Sequence, residues 1–358
     1  MLKKIASLLV ITILSLLLFT ACGQVRSAIV EDSDESVSEN KPVGTVLTVT
    51  EEGVSFAPEV SNASMIPDLQ DSFFVSMPKY YVEFGMYPQT VAERKAVKAM
   101  SATTDSTGYY YSTYDNEHYA KITIANVYGN KYTFVNEKDI TNRNTYYFKV
   151  EPIKWRIFGK LTDTGDIERL YLVSDLILDS SSYLAESSYF ENPSDMIYYN
   201  RSVNARATDW VYSSLRKWLN GDFYRSAFSK QEKEKINMRV AGTSIGDDGE
   251  QVQETDNVFV MTYEQATAME QSQVFSVVSD FARCKGTWMS IYPDFYGYGR
   301  WWTMTEGDTS YRVCYGGTDN LVKVSSAGES IGATYMGVRP VICIDADDII
   351  INMEKEEE

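Results

Sequence analysis

Ser213-Ser214-Leu215-Arg216-Lys217-Trp218-Leu219-Asn220-Gly221 is the stretch on which the fold class turns. Leu215, Trp218 and Leu219 recur at i, i+3 and i+4, which puts one apolar stripe on a short helix. Ser213 or Ser214 can cap its start, and Asn220-Gly221 is a stop signal. Capping boxes at Ser229-Lys230-Gln231-Glu232 and Thr262-Tyr263-Glu264-Gln265 open further helices, so the middle of the chain is helical. Strand signals flank it. Before it they fall at 81–84 (closed by Gly85 and Pro88), 119–127, 131–135, 146–150, 154–158 and 169–174. A buried strand is expected at 258–261, and the final third returns to strands at 301–305, 311–315, 321–324 and 338–344. There is neither regular βαβ alternation nor a fixed repeat, which predicts an α+β fold.

The N-terminus predicts an address. Lys3 and Lys4 precede an apolar run over residues 5–19, and small residues then lead to Cys22 in Thr20-Ala21-Cys22-Gly23. That order is a secretory signal, and a cysteine just after the cleavage site suits a bacterial lipoprotein, whose thiolate takes a diacylglyceryl group. Residues 1–21 are therefore expected to be a signal peptide. Residues 22–67 follow as the lipidated N-terminus and an acidic tether containing Glu31-Asp32-Ser33-Asp34-Glu35-Ser36. The globular part is expected over 80–345, and 346–358 as an acidic tail. The expected location is extracytoplasmic, with the membrane reached through the lipid on Cys22.

Composition narrows the chemistry. The chain has 33 Lys plus Arg against 50 Asp plus Glu, a formal net charge of −17, so a nucleic-acid partner is disfavoured. His118 is the one histidine and has no metal-ligand spacing around it; no metal and no cofactor are predicted. Cys284, Cys314 and Cys343 are odd in number and read as small buried hydrophobes, with one pair plus a free thiol as the alternative. Gly242-Thr243-Ser244-Ile245-Gly246 matches a nucleophile elbow as a string, but a turn follows where a helix is required. Glu151 and Glu306 are conceivable acid/base residues that no spacing selects from the other carboxylates.

Aromatics cluster late in the chain. Tyr292, Phe295, Tyr296, Tyr298, Trp301 and Trp302 are broken by Gly297 and Gly299, a composition suited to stacking on sugar rings. Large aromatics dominate buried area, so core packing is one reading of both tryptophans. Strand alternation instead separates the pair onto opposite faces, which assigns Tyr296, Tyr298, Trp301, Arg312 and Tyr315 to a ligand-binding face. Trp155, Trp218 and Trp302 are expected as structural anchors. Arg216 and Arg339 are expected to fork onto buried carboxylates or main-chain carbonyls, and Pro340 to stand at a strand's first residues or an edge.

Several segments together resemble an uncharacterised bacterial family, domain of unknown function 6273. They are Phe84-Gly85-Met86-Tyr87-Pro88-Gln89-Thr90, Glu151-Pro152-Ile153-Lys154-Trp155-Arg156-Ile157, Leu172-Val173-Ser174-Asp175-Leu176-Ile177-Leu178-Asp179, Ser214-Leu215-Arg216-Lys217-Trp218-Leu219-Asn220, Trp301-Trp302 and Gly337-Val338-Arg339-Pro340-Val341. The last is also similar to the Gly-Phe-Arg ending of formylglycine-generating-enzyme-like domains, a resemblance that implies a C-type-lectin-like architecture. The catalytic cysteine pair of those enzymes has no counterpart in Cys284, Cys314 and Cys343. After the tryptophan pair the resembled pattern continues Leu-Arg-Ser, where this chain has Thr303-Met304-Thr305. The expected function is that of a lipid-anchored binding protein for a surface glycan or a protein partner, with no catalysis implied. A carboxylate-based glycan hydrolase and a cysteine-dependent oxidase are the alternatives.

Overall fold

The computed structural model describes residues 74–129, 132–161, 167–203, 205–245, 250–269, 271–317 and 324–345. The expected signal peptide, Cys22, the expected tether and the expected acidic tail lie outside them. The described residues fall within one compact unit, Pro42–Glu358; the other unit, Met1–Lys41, lies wholly outside them. Among the described residues no helix is long and apolar enough to cross a membrane.

The fold is α+β, with many strands and a few short helices. In chain order the strands are β1 (Phe74–Val91), β2 (Tyr110–Ser112), β3 (Glu117–Ile122), β4 (Tyr146–Leu161), β5 (Ile167–Ser174), β6 (Asp179–Ser180), β7 (Tyr189–Asn192) and β8 (Ile197–Asn200). They continue with β9 (Arg239–Ile245), β10 (Gln251–Asp256), β11 (Val258–Phe259), β12 (Trp301–Glu306), β13 (Arg312–Gly316), β14 (Val324–Ser330), β15 (Gly337–Val338) and β16 (Val341–Asp345). A seven-stranded sheet runs β11-β16-β5-β4-β3-β2, with β1 on the other edge of β4. A five-stranded sheet runs β14-β13-β12-β15-β6, in which β12 and β15 are parallel. β9–β10 and β7–β8 are separate two-stranded ribbons.

β4 is the spine, and it corrects the expectation of two strands at 146–150 and 154–158. Phe148 and Val150 are buried at even positions; Ile153, Trp155 and Ile157 are buried at odd ones. Successive residues of a strand face opposite sides, so the first half buries one face of the sheet and the second half the other. Phe148 meets Phe281 at 5.4 Å between ring centroids, whereas Trp155 stacks on Phe228 at 6.3 Å. That change of phase, with Pro152 at its centre, reads locally as a break. The proline is tolerated because β3 pairs with residues 146–149 and β5 with 155–161, leaving the stretch between them without a ladder on that edge.

β1 likewise runs on past its expected stop. Gly85 is not a terminator but a bulge residue at φ +71, and a Cβ there would stand 2.7 Å from the Phe228 ring. Its N–H donates to Glu232 Oε1 at 2.8 Å, and Trp155 Nε1 donates to the Phe84 carbonyl at 2.6 Å.

The helical middle forms as the caps require, then overruns. Ser213 Oγ accepts from Arg216 N at 3.0 Å to open α2 (Ser214–Trp218), counting the helix Arg94–Lys98 as α1. Asn220-Gly221 does not stop it: a π-helical turn, Leu219–Phe223, leads into α3 (Tyr224–Ala227). Asn220 has found tertiary partners instead, its Oδ1 accepting from the N–H groups of Asn257 and Val258. Both expected capping boxes are present, at α4 (Lys230–Lys233) and α5 (Tyr263–Ala268). The short helices α6 (Gln271–Val274) and α7 (Asp280–Lys285) follow. The strand expected at 258–261 shortens to β11. That expected at 119–127 shortens to β3, and residue 133 contributes only an isolated bridge within 131–135.

The run 338–344, expected as one strand, is two. β15 belongs to the five-stranded sheet and β16 to the seven-stranded one, and Arg339-Pro340 carry the chain between them. Pro340 has no N–H to leave unpaired at the crossing.

Candidate functional site

Trp301 corrects the expected stacking face. Its ring is fully buried, its Nε1 donates to the Val274 carbonyl at 3.1 Å, and Gly316 lies so close that a Cβ would stand 2.3 Å from the ring. The Arg339 guanidinium lies 5.2 Å from its centroid. Trp302 is also fully buried and donates to the Ser181 carbonyl at 2.8 Å. Both faces of β12 are covered here, so alternation does not expose either ring. The other residues of the expected face take separate partners. Tyr296 is 40% exposed and its hydroxyl pairs with Thr133 Oγ1 at 2.6 Å; Tyr298 packs on Phe275. Arg312 sits over the Tyr311 ring at 5.5 Å, whereas Tyr315 lies under Arg300.

The two expected arginine forks are engaged, although Arg339 Nη2 is buried without a hydrogen-bond partner. Arg216 donates to Asp256 at 2.6 Å, Glu254 at 3.0 Å and the Val211 carbonyl. Asp256, 1% exposed, also accepts from Trp210 Nε1 at 2.7 Å, which locks α2 to β10. Arg339, fully buried, donates to the carbonyls of Ser174, Gln273 and Val274 and so ties the crossing between the sheets to β5 and α6. Burial, and then Arg156, push its guanidinium down to about 9, which still leaves it charged at neutral pH. Trp155 is fully buried and Trp218 half-buried against Phe223.

A different cluster is open to solvent, and its elements converge on Arg300. Gly286 ends α7 at φ +104 and turns the chain to Trp288, whose N–H donates to the Tyr335 carbonyl at 2.8 Å. The Gly337 N–H donates to the Arg300 carbonyl at 2.8 Å; a Cβ at Gly337 would stand 2.7 Å from that oxygen, so glycine lets the two backbones meet. The guanidinium of Arg300 lies 4.2 Å from the centroid of Trp288 and 5.3 Å from that of Tyr315. Its Nη1 is 3.9 Å from Glu329 Oε2. Tyr335 stacks obliquely on Tyr128 at 4.7 Å, and Tyr128 is 50% exposed. Burial, and then Glu329, push the Tyr335 hydroxyl up to about 12, so it remains a donor at neutral pH. The side chain of Arg300 is 24% exposed, yet its Nε is buried and has no hydrogen-bond partner. An unmet buried donor costs about 1–3 kcal/mol, which a ligand oxygen would recover. Sequence reasoning missed Trp288, Arg300, Glu329 and Tyr335. The adjacency of Arg300 to the tryptophan pair was the signal available; nothing in the spacing joins the other three to it.

The candidates for catalysis have structural partners. Glu306 accepts from Arg206 at 2.9 and 3.2 Å and from Thr208 at 3.0 Å; Glu151 accepts from Thr90 N at 3.0 Å. Ser244 lies within β9 and donates to Glu254 at 2.6 Å across the ribbon, with no helix after it at residue 245. His118 Nε2 is 3.0 Å from Asp105. Cys284, Cys314 and Cys343 are buried and form no disulfide with one another. Burial pushes the Cys284 thiol far above its ordinary range and Cys314 up to about 11, so neither offers a thiolate at neutral pH. Among the described residues no group of three or more His, Cys, Asp or Glu is placed to hold a metal ion.

No curated protein and no solved structure matches this chain. A family model matches residues 172–346, just under half of the chain, beginning within β5 and taking in the Arg300 cluster apart from Tyr128. The resembling pieces at 84–90 and 151–157 precede the match. Over residues 172–346, therefore, the chain matches the model of the family described as Domain of unknown function (DUF6273).

Proposed function

We propose that this protein is a lipid-anchored, extracytoplasmic binding protein that takes a glycan at the Arg300 cluster. The observation that carries this reading is the buried, unpartnered Nε of Arg300 between two half-exposed aromatic rings. Trp288 and Tyr315 offer faces on which an apolar sugar face can stack, with Tyr128 and Tyr335 extending the aromatic surface. Arg300 donates to ring hydroxyls or a uronate carboxylate, and Glu329 accepts from a neighbouring hydroxyl. Aromatic stacking fixed by a few polar groups is the usual composition of such sites. The apolar run over residues 5–19 leading to Cys22 supports the location, and a C-type-lectin-like reading of the head belongs to the same proposal.

A glycan-binding screen with the detergent-solubilised full chain tests the ligand. Retention that Trp288→Ala and Arg300→Ala each abolish, with unfolding midpoint unchanged, supports the site. Retention by both variants, or turnover of the bound glycan lost on Glu306→Gln, sinks it. Mass spectrometry of the N-terminal peptide tests the anchor, which requires a diacylglyceryl adduct on Cys22.

A further inference from the structure

We infer that the groove between α1 and the turn at residues 134–138 binds a linear, phosphate-bearing polyanion that lacks nucleobases. Glu93, Arg94, Lys95, Lys98, Asn136 and Lys138 line about 580 Å³ of open groove, four cations against one carboxylate. All six residues are exposed. Among the described residues none of the four cations forms an ion pair, and Lys95 merely lies over the Tyr114 ring at 5.6 Å. The contrast with other cations is sharp. Lys149, Arg156, Arg206, Arg216 and Lys285 each meet a carboxylate within 3.0 Å. In a chain with 50 acidic and 33 basic side chains, carboxylate partners are abundant, yet this groove holds one, Glu93, for four cations and pairs it with none of them. Like charges held together without counter-charge repel, and an anion relieves that repulsion.

The groove is also built in advance of any ligand. Buried Asp280 accepts from Val91 N at 3.0 Å with one carboxylate oxygen and from Val135 N at 2.8 Å with the other. Val91 leads into α1 and Val135 begins the opposing turn, so one carboxylate pins both walls. Buried Ala96 seats α1, and the turn closes through Phe134 N to the Lys138 carbonyl at 2.9 Å.

The lining selects the ligand. Ammonium groups and a guanidinium fork suit phosphate oxygens. No aromatic side chain lines the groove, so single-stranded nucleic acid has no platform for its bases. The net charge of −17 opposes approach to a flat anionic membrane, whereas a thin chain can enter a concave groove where cations outnumber the one carboxylate, Glu93.

Inorganic polyphosphate titrated against the detergent-solubilised full chain is the test. If four phosphates are engaged, raising salt from about 50 to about 200 mM weakens binding roughly fiftyfold by the counterion-release relation for single strands. Replacing Lys95, Lys98 and Lys138 together by Gln lowers low-salt affinity at least about thirtyfold and flattens the salt dependence to that of roughly one contact. The unfolding midpoint stays unchanged, and Arg at the same three positions restores binding. A charge-matched variant, with Gln at Lys121, Lys217 and Lys230, keeps the affinity. Absent binding at low salt, binding that the groove variant retains, or equal loss in the charge-matched variant overturns the inference. So does tighter binding of an oligodeoxynucleotide or of phosphatidylglycerol vesicles than of polyphosphate.

Discussion

Two arginine–tryptophan stacks lie close together in this protein, and they differ in what surrounds them. Arg339 over Trp301 is sealed: both side chains are fully buried, and the guanidinium serves three main-chain carbonyls. Arg300 over Trp288 is half-open, closer at 4.2 Å, and carries a buried Nε with nothing to donate to. The same pair of residue types is a staple in one place and a candidate site in the other. Chemistry of the pair does not separate the two, and neither does an unmet donor, since Arg339 Nη2 is also buried without a partner; exposure does.

The largest expected effect is at the sealed stack. Trp301→Ala removes a fully buried indole and is expected to lower unfolding free energy by about 3–5 kcal/mol in a denaturant titration. A loss below about 1 kcal/mol would return Trp301 to the solvent-facing class. Next comes Arg339→Met, which strips donors from the carbonyls of Ser174, Gln273 and Val274 while keeping an apolar stem over Trp301. It is expected to cost about 2–4 kcal/mol of stability with no change in glycan retention, because the unmet carbonyls are buried.

The open stack behaves in the opposite sense. Trp288→Ala is expected to change stability by no more than about 1 kcal/mol and to weaken glycan binding about thirtyfold, since exposed aromatic anchors concentrate binding energy. A stability loss as large as that of Trp301→Ala would erase the distinction between the stacks.

The smallest effect is in the alkaline limb of stability. Tyr335, raised to about 12 by burial and Glu329, holds its proton in the folded state above the ordinary tyrosine pKa near 10. A raised folded value contributes stability that is full below about pH 10 and is lost as pH rises through about 12. Tyr87 and Tyr183, which are raised further by deeper burial, act in the same direction. Unfolding midpoints taken between pH 9 and 12 should therefore fall. Tyr335→Phe and Tyr183→Phe should each remove a part of that fall.

Legibility in the sequence followed the range of the interaction concerned. Ser213, Ser229 and Thr262 announce their helices because a cap joins residues three apart, and all three cap as read. Asn220-Gly221 misled because its expected local role lost to hydrogen bonds with residues nearly forty positions away. β4 was read as two strands because its burial changes sides at Pro152, which looks the same in sequence as a gap. The candidate site was legible only in its ingredients. Tyr315 belongs to it, but Trp288 and Glu329 meet Arg300 through their side chains and Tyr335 is held to Trp288 through the backbone, contacts that no spacing records.

Charge balance, the cap signals, the strand-rich flanks and the need to bury Trp155 and Trp302 are properties of the residues themselves, because they depend on composition and on neighbours a few positions apart. Which tryptophan is sealed and which arginine reaches the surface were settled by packing. A strand's alternation says that two residues face opposite ways. Whether either side meets water depends on the elements laid against it, here Arg339 at the crossing of two sheets and Gly316 beneath the Trp301 ring.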